Sequence, residues 1–271
     1  MMRSLWTAAS GMIAQQTNVD TISHNLSNVN TTGYKTQRAE FKSLLYQNLQ
    51  TRTTTANGEN KPIPAQVGLG TRVASIDSCF TQGPMQASEN DSDFAISGEG
   101  FFAVRGDDGN RYYTRNGSFV WAVGPTGVTL CNSDGYPVLD SNNNIIVVPN
   151  GVTSGSMKIS GEGEIGYLTP QGTYVSMNQT IGLHQFTNAS GLEKMSGSIL
   201  AETAASGAAM NEATTNGLTR STVRQGYLEG SNVQVADEMV NLIIAQRAYE
   251  LNSKAIQASD DMLQQANNLR R

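Results

Sequence analysis

Apolar side chains recur every seven residues near both ends of this chain, while the stretch between reads as short strands and turns. Leu5, Met12, Val19 and Leu26 lie seven apart; Ala8, Ile22 and Val29 keep the same step, with Gln15 as the polar member. A seven-residue repeat lets a helix present one seam to a partner helix. Residues 4–29 are therefore expected to form a helix of about 39 Å, at 1.5 Å per residue. Its stop is expected at Thr31-Thr32-Gly33, where two β-branched residues precede a glycine suited to left-handed backbone. A second run covers 231–268, about 55 Å if continuous. It opens on Ser231-Asn232-Val233-Gln234, the spacing of a capping box. Asp237 and Glu238 follow where the helix dipole favours negative charge. One stripe runs Val233, Ala236, Val240, Ile244, Ala248, Leu251, Ala255, and a second includes Tyr249 and Ile256. Two stripes allow one helix to touch more than one neighbour.

The polar face of the first helix is unusual. Residues 1–33 carry only two charged side chains, Arg3 and Asp20. Without Glu–Lys support and with one narrow stripe, such a helix is marginal alone. It is expected to order on packing against partners. The chain as a whole is 15% charged, with net charge −5; soluble domains usually reach about 25%. An uncharged polar surface packs against protein without stripping water from ions. The negative balance argues against nucleic-acid binding, which needs a basic stripe. No apolar run is long enough to cross a membrane as a helix. Ser10, Gln15, Gln16 and Asn18 interrupt the first apolar stretch, so no cleavable secretory signal is expected.

Residues 34–71 read as an extended connector or hairpin, Thr-rich with Asn-Gly and two prolines near their centre. From 72 to 226 short apolar runs alternate with turn signals, among them Phe94–Ser97, Phe101–Arg105 and Tyr136–Leu139. Gly106–Asn110 and Asn132–Gly135 are turns between such runs. Many short strands at this spacing indicate an antiparallel sandwich or barrel-like domain. The expected fold class is α+β: long N- and C-terminal helices (1–33 and 227–271) in a coiled-coil-like layer, with a central antiparallel β-rich domain.

Chemistry is sparse. Gly98-Glu99-Gly100 precedes a strand rather than a helix and lacks the third glycine of a phosphate loop. Asp107-Asp108-Gly109-Asn110 has no EF-hand spacing. Neither His24 nor His184 has an identifiable nucleophile beside it. Cys79 and Cys131 lie far apart with no CxxC partner, against a zinc site, and their spacing leaves a disulfide open. No catalytic residue, metal or cofactor is expected.

Several segments together resemble the bacterial flagellar rod and hook proteins. They are Ser23-His24-Asn25-Leu26-Ser27-Asn28 through Gly33-Tyr34-Lys35, Gly98-Glu99-Gly100-Phe101-Phe102, and Tyr113-Thr114-Arg115-Asn116. Near the end stand Leu228-Glu229-Gly230-Ser231-Asn232 and Gln246-Arg247-Ala248-Tyr249-Glu250. The family-motif positions singled out are Asn25, Asn28, Gly33, Tyr34, Gly98, Gly100, Phe101, Phe102, Asn232, Gln246, Arg247 and Glu250. The opening Met2-Arg3-Ser4-Leu5-Trp6, the length and the stretch at 48–66 are similar to the distal-rod branch. The proximal rod and hook branches are the alternative. A β-domain binding module on a helical oligomerisation stalk is a second one. The resemblance implies a straight, hollow, helical homopolymer that transmits torque and passes exported subunits. Its terminal helices would form an inner layer and its β domain an outer one. Implied partners are further copies of the chain, proximal rod and hook proteins, the surrounding P and L rings, and the flagellar type III export apparatus. The implied place is the periplasm-spanning rod of the basal body, reached from the cytoplasm without a cleavable signal and without membrane insertion.

Overall fold

The computed structural model describes residues 2–50, 65–124, 127–148, 154–169 and 173–269. The centre of the connector, 51–64, lies outside the described residues. Helices and strands are both present, an α+β chain. Contacts divide it into two compact units. One combines Met1–Ser27, Gln37–Ser78 and Gln234–Arg271; the other combines Asn28–Thr36 and Cys79–Val233.

The first unit holds helices α1 (Met2–Ser27) and α2 (Val235–Asn268) and a long two-stranded ribbon. In α1 the hydroxyls of Thr7, Ser10, Thr17, Thr21 and Ser27 donate to carbonyls three or four residues earlier. This back-bonding satisfies a polar face without charge and explains how so uncharged a helix keeps its donors paired. The helix stops at Ser27, earlier than Gly33. The expected capping box does not form either. Gln234 stands at the N-cap of α2 and makes no side-chain cap bond. Ser231 Oγ instead accepts from the Val233 N–H at 3.3 Å. The physical reason is competition: residues 229–233 are taken up by bonds inside the second unit, described below.

The ribbon is built from β1 (Gln37–Ser43), β2 (Tyr46–Gln50), β3 (Ala65–Gly68) and β4 (Thr71–Ser78). β1 pairs antiparallel with β4, from Gln37 opposite Ser78 to Ser43 opposite Thr71, with a register shift between Glu40 and Phe41. β2 continues the ribbon against β3. The Leu44 N–H to Gly70 O and Leu69 N–H to Leu45 O bonds join the two parts. Leu45, Tyr46 and Leu49 are exposed on it. A two-stranded ribbon with so little burial is marginal unless something covers it.

The second unit is all antiparallel among its described strand pairs. Phe101–Arg105 runs inside a six-stranded sheet, flanked by Arg111–Thr114 and Leu183–Gln185. Side chains alternate across a strand. Phe102 and Val104 enter one apolar cluster with Phe94, Phe119 and Leu130; Phe101 and Ala103 enter a second with Tyr113 and Leu139. This strand is buried on both faces, so its sequence reads as an uninterrupted apolar run. Edge-to-face aromatic pairs fix the packing: Phe102 with Phe119 at 5.1 Å and Tyr113 with Phe186 at 4.8 Å. The run at Tyr136–Leu139 makes isolated bridges to its neighbours rather than a strand. Cys131 is buried, Cys79 is exposed, and both are free thiols.

His184 lies within this core, where burial and then the charge of Arg111 push its imidazole down to about 4 from an ordinary 6.5. Between those values the unfolded chain binds a proton that the folded chain refuses, so stability is full above pH 6.5 and falls as pH drops towards 4. A gap of that size corresponds to about 3 kcal/mol. Urea denaturation at stepped pH is expected to show this loss in the native sequence, and a shallower acid limb in His184→Gln. Superimposable pH profiles would contradict it.

Candidate assembly surface and its anchor

The seam between α1 and α2 follows a seven-residue step, but with small and polar members. Ser4 Oγ lies 3.3 Å from Ser259 Oγ. A Cβ on Gly11 would lie 2.9 Å from Asn252 Nδ2, so the Asn252 side chain occupies the space that a residue with a side chain would need there. Asn25 Nδ2 donates to Glu238 Oε2 at 3.3 Å. Ala245, midway between Asn252 and Glu238 on α2, is buried. The helices are antiparallel, and the observed pairs 4 with 259, 11 with 252 and 25 with 238 fall on one line of seven-residue steps.

Of the expected α1 positions, Ala8 and Ile22 are buried; Leu5, Met12, Val19 and Leu26 are partly covered. Val29 is partly covered too and belongs to the second unit. On α2 the two expected stripes separate. Ile256 is half-buried, together with Leu242 and Leu263, and Tyr249 is 43% exposed. The other stripe faces outward: Val240 is 55% exposed, Ile244 61% and Leu251 66%, with Ala236 and Ala255 exposed and Ala248 partly covered. Met239 and Ile243 extend that surface, and Trp6 and Ile13 stand exposed on α1. Val233 is buried but lies in the second unit. These side chains form a continuous exposed apolar surface along α2 in the single chain.

The family-motif residues fall into two groups. In the second unit the segment after α1 and the segment before α2 are bonded to each other. Asn232 Oδ1 accepts from the Thr36 N–H at 2.8 Å and from Thr36 Oγ1 at 2.7 Å, and its Nδ2 donates to Cys79 O and Thr81 Oγ1. Asn28 Oδ1 accepts from Thr31 Oγ1, and the Tyr34 N–H donates to Thr31 O. Gly33 has φ +70, and its N–H donates to Glu229 O at 2.8 Å. A Cβ there would lie 2.6 Å from Asn116 N, so the position requires glycine both for its backbone angle and for its space. The Gly100 N–H donates to Ser221 Oγ, Gly98 O accepts from Arg115, and Phe101 and Phe102 are core. In the first unit, Asn25 is buried, whereas Gln246, Arg247 and Glu250 are exposed, with Arg247 and Glu250 paired at 2.8 Å.

Between these residues lies a set of charges that motif inspection did not select. Glu229 is fully buried. Its Oε1 pairs with Lys35 Nζ at 2.6 Å and its Oε2 with Arg115 Nη1 at 3.2 Å. Lys35 Nζ also donates to Thr81 O, and the Gly83 N–H donates to Glu229 Oε1. Arg115 donates to Gly98 O at 2.6 Å and stacks 5.2 Å from the Phe101 ring centre. Burial pushes both cations down from their usual ranges, and the Glu229 carboxylate opposes that push. The available signal was scarcity: in a chain this poor in charge, three of the recognisable segments each carry one of these residues.

Models of flagellar families match in order along the chain: flagella basal body rod protein at 5–35, flagellar hook protein FlgE/F/G D1 domain at 95–167, and flagellar basal body rod FlgEFG protein C-terminal at 224–269. These matches give the class, a structural protein of the flagellar rod. Relatives narrow it. The chain is 46% identical over 275 residues to the flagellar basal-body rod protein FlgG of Borreliella burgdorferi, covering all of both chains. It is 41% identical to FlgG of Buchnera aphidicola subsp. Schizaphis graminum, covering 99% of this chain and all of that one. It is 36% identical to FlgG of Bacillus subtilis, covering all of both. The chain belongs to the flagellar basal-body rod protein family and is a structural subunit of the rod, in a family that is not enzymatic.

Proposed function

We infer that the chain builds the distal segment of the rod as a straight, hollow homopolymer. In this reading α1 and α2 form a coiled-coil inner layer around an axial channel, and the β-rich unit forms the outer layer, facing the P and L rings. The observation that carries it is the outward stripe of α2 at Val240, Ile244 and Leu251. Ile22 is buried and Leu242 and Ile256 are half-buried, but the larger apolar side chains of this outward stripe remain uncovered in the single chain. Copies of the chain would cover that stripe and the interface positions on α1. The low charge of α1 suits a channel wall, since it would not hold passing unfolded chains electrostatically. Proximal rod and hook proteins would meet the two ends of the polymer. The subunit would leave the cytoplasm through the flagellar type III apparatus, without a cleavable signal, to a rod that spans the periplasm.

The stretch 48–66 would bridge layers and keep the shaft straight, as torque transmission requires. The test deletes 48–66 and images the polymer by electron microscopy. Curved or visibly more flexible polymers are expected. A straight rod of unchanged stiffness would contradict the assignment.

A further inference from the structure

Two arginines face each other in the six-stranded sheet with no carboxylate beside them. The strands Phe101–Arg105 and Arg111–Thr114 pair antiparallel, and their register sets Arg105 directly opposite Arg111. Ala103 and Tyr113, the pair two residues further in, belong to the second apolar cluster, so the arginines share the face of that cluster. Arg105 is half-buried there and Arg111 is exposed. Like charges directly opposite each other on neighbouring strands are destabilising. A guanidinium also carries five N–H donors. Arg105 Nη2 donates to Asn143 O at 3.4 Å and Arg111 Nη1 to Asn143 Oδ1 at 3.1 Å, and neither guanidinium makes another described bond. Both therefore lean on one neutral residue, with most of their donors left over. Asn143 is fixed in place: its φ is +64, a left-handed backbone that asparagine tolerates. Its loop is closed by Asp140 Oδ1, which accepts from the Asn142 and Asn144 N–H groups at 2.7 and 2.8 Å.

Carboxylates are not scarce in this unit. Asp and Glu outnumber Lys and Arg in it by 14 to 8, yet among the described residues none pairs with Arg105 or Arg111. Asp108, in the turn between the two strands, accepts from the Tyr112 hydroxyl and the Asn110 N–H. Tyr112 projects from the opposite face of its strand, so that carboxylate is drawn away from the arginines. Asp140 is taken up by its own loop. The single molecule thus carries an unneutralised like-charge pair, and an acid from outside would relieve it. Two guanidinium forks side by side offer the parallel N–H donors that match a carboxylate. We propose that Arg105 and Arg111 together bind an Asp or Glu side chain of a second copy of the chain. Every copy carries the surplus of acid that the pair lacks, so charge complementarity favours a like subunit as its source. The proposal rests on the assembly reading, because it needs copies packed side by side.

The test uses the full-length chain with Arg105→Gln and Arg111→Gln, which keeps polarity and removes charge. In the unassembled chain the urea midpoint is expected to hold or rise, because the like-charge opposition is gone. The critical concentration for polymerisation, read by sedimentation in about 0.05 M salt, is expected to rise about tenfold over the native chain. In about 0.5 M salt the two chains are expected to differ by less than about threefold, since salt screens the contact in the native polymer. Arg105→Lys with Arg111→Lys keeps the charge, loses the forks, and is expected to fall between. A reconstruction of the native polymer is expected to place an Asp or Glu of a neighbouring copy within about 4 Å of both guanidinium groups. A Gln variant that polymerises at the native concentration in low salt would overturn the proposal and leave the assembly reading standing. An arginine pair that faces only solvent in the native polymer would do the same. So would a lowered urea midpoint, which would make the pair part of the single chain's own fold. A native chain that does not polymerise would overturn both.

Discussion

Glu229→Gln is expected to remove about 3–5 kcal/mol of stability, as breaking a buried ion pair from one side does. The substitution keeps shape and loses charge. It leaves Lys35 and Arg115, both nearly inaccessible, facing a neutral amide with no other carboxylate in direct contact among the described residues. Each cation would have to shed its proton or draw in water. Arg115 cannot deprotonate at any working pH, so the cost falls on the fold. Lys35 stands in the segment after α1 and Glu229 in the segment before α2, so the lost ion pair is one that joins these two segments. Urea denaturation measures the loss. The triple variant Lys35→Met, Glu229→Gln, Arg115→Met is expected to recover part of it, since apolar groups of similar volume often replace buried ion clusters at little cost. A single variant within 1 kcal/mol of the native chain would contradict this account of the anchor.

The second large effect concerns assembly. Ile244→Asp with Leu251→Asp is expected to abolish polymerisation while leaving the monomer folded. Both side chains are more than half exposed in the single chain, so the monomer loses little apolar burial. In a polymer whose subunits cover this stripe, each carboxylate would have to be desolvated without a partner, which costs several kcal/mol. Repeated once per subunit, that penalty exceeds what a helical array tolerates. Sedimentation should show the variant as a monomer at concentrations where the native chain forms large species. Tyr249 and Ile256 are a useful contrast. They lie towards the α1 seam, and polar substitutions there should harm the helix pair first. A double Asp variant that polymerises like the native chain would show that the outward stripe is not buried in the assembly.

Much of this architecture was legible in the sequence, for a plain reason. Heptad spacing and turn residues are local signals, and they located both helices, the strand at Phe101–Arg105 and the class of fold. The contact between α1 and α2 within one chain runs one residue away from the line of larger apolar side chains. Leu5, Met12, Val19 and Leu26 are the larger apolar side chains, whereas the observed contacts to α2 come from Ser4, Gly11 and Asn25. Close helix approach selects small residues, and a hydrophobicity pattern does not register them. The capping box at Ser231 failed because a tertiary demand, the Asn232 bracket on Thr36, outweighed a local one. The Lys35–Glu229–Arg115 cluster was invisible to periodicity because its members are 80 and 114 residues apart along the chain, from 35 to 115 and from 115 to 229. Only the fold brings them together.

The most direct test is a helical reconstruction of the polymer formed by the full-length chain. This account expects α1 and α2 on the inside of a straight tube, with Val240, Ile244 and Leu251 buried between subunits and the β-rich unit outside. A polymer held together through the β-rich unit, with that stripe of α2 still facing solvent, would contradict it.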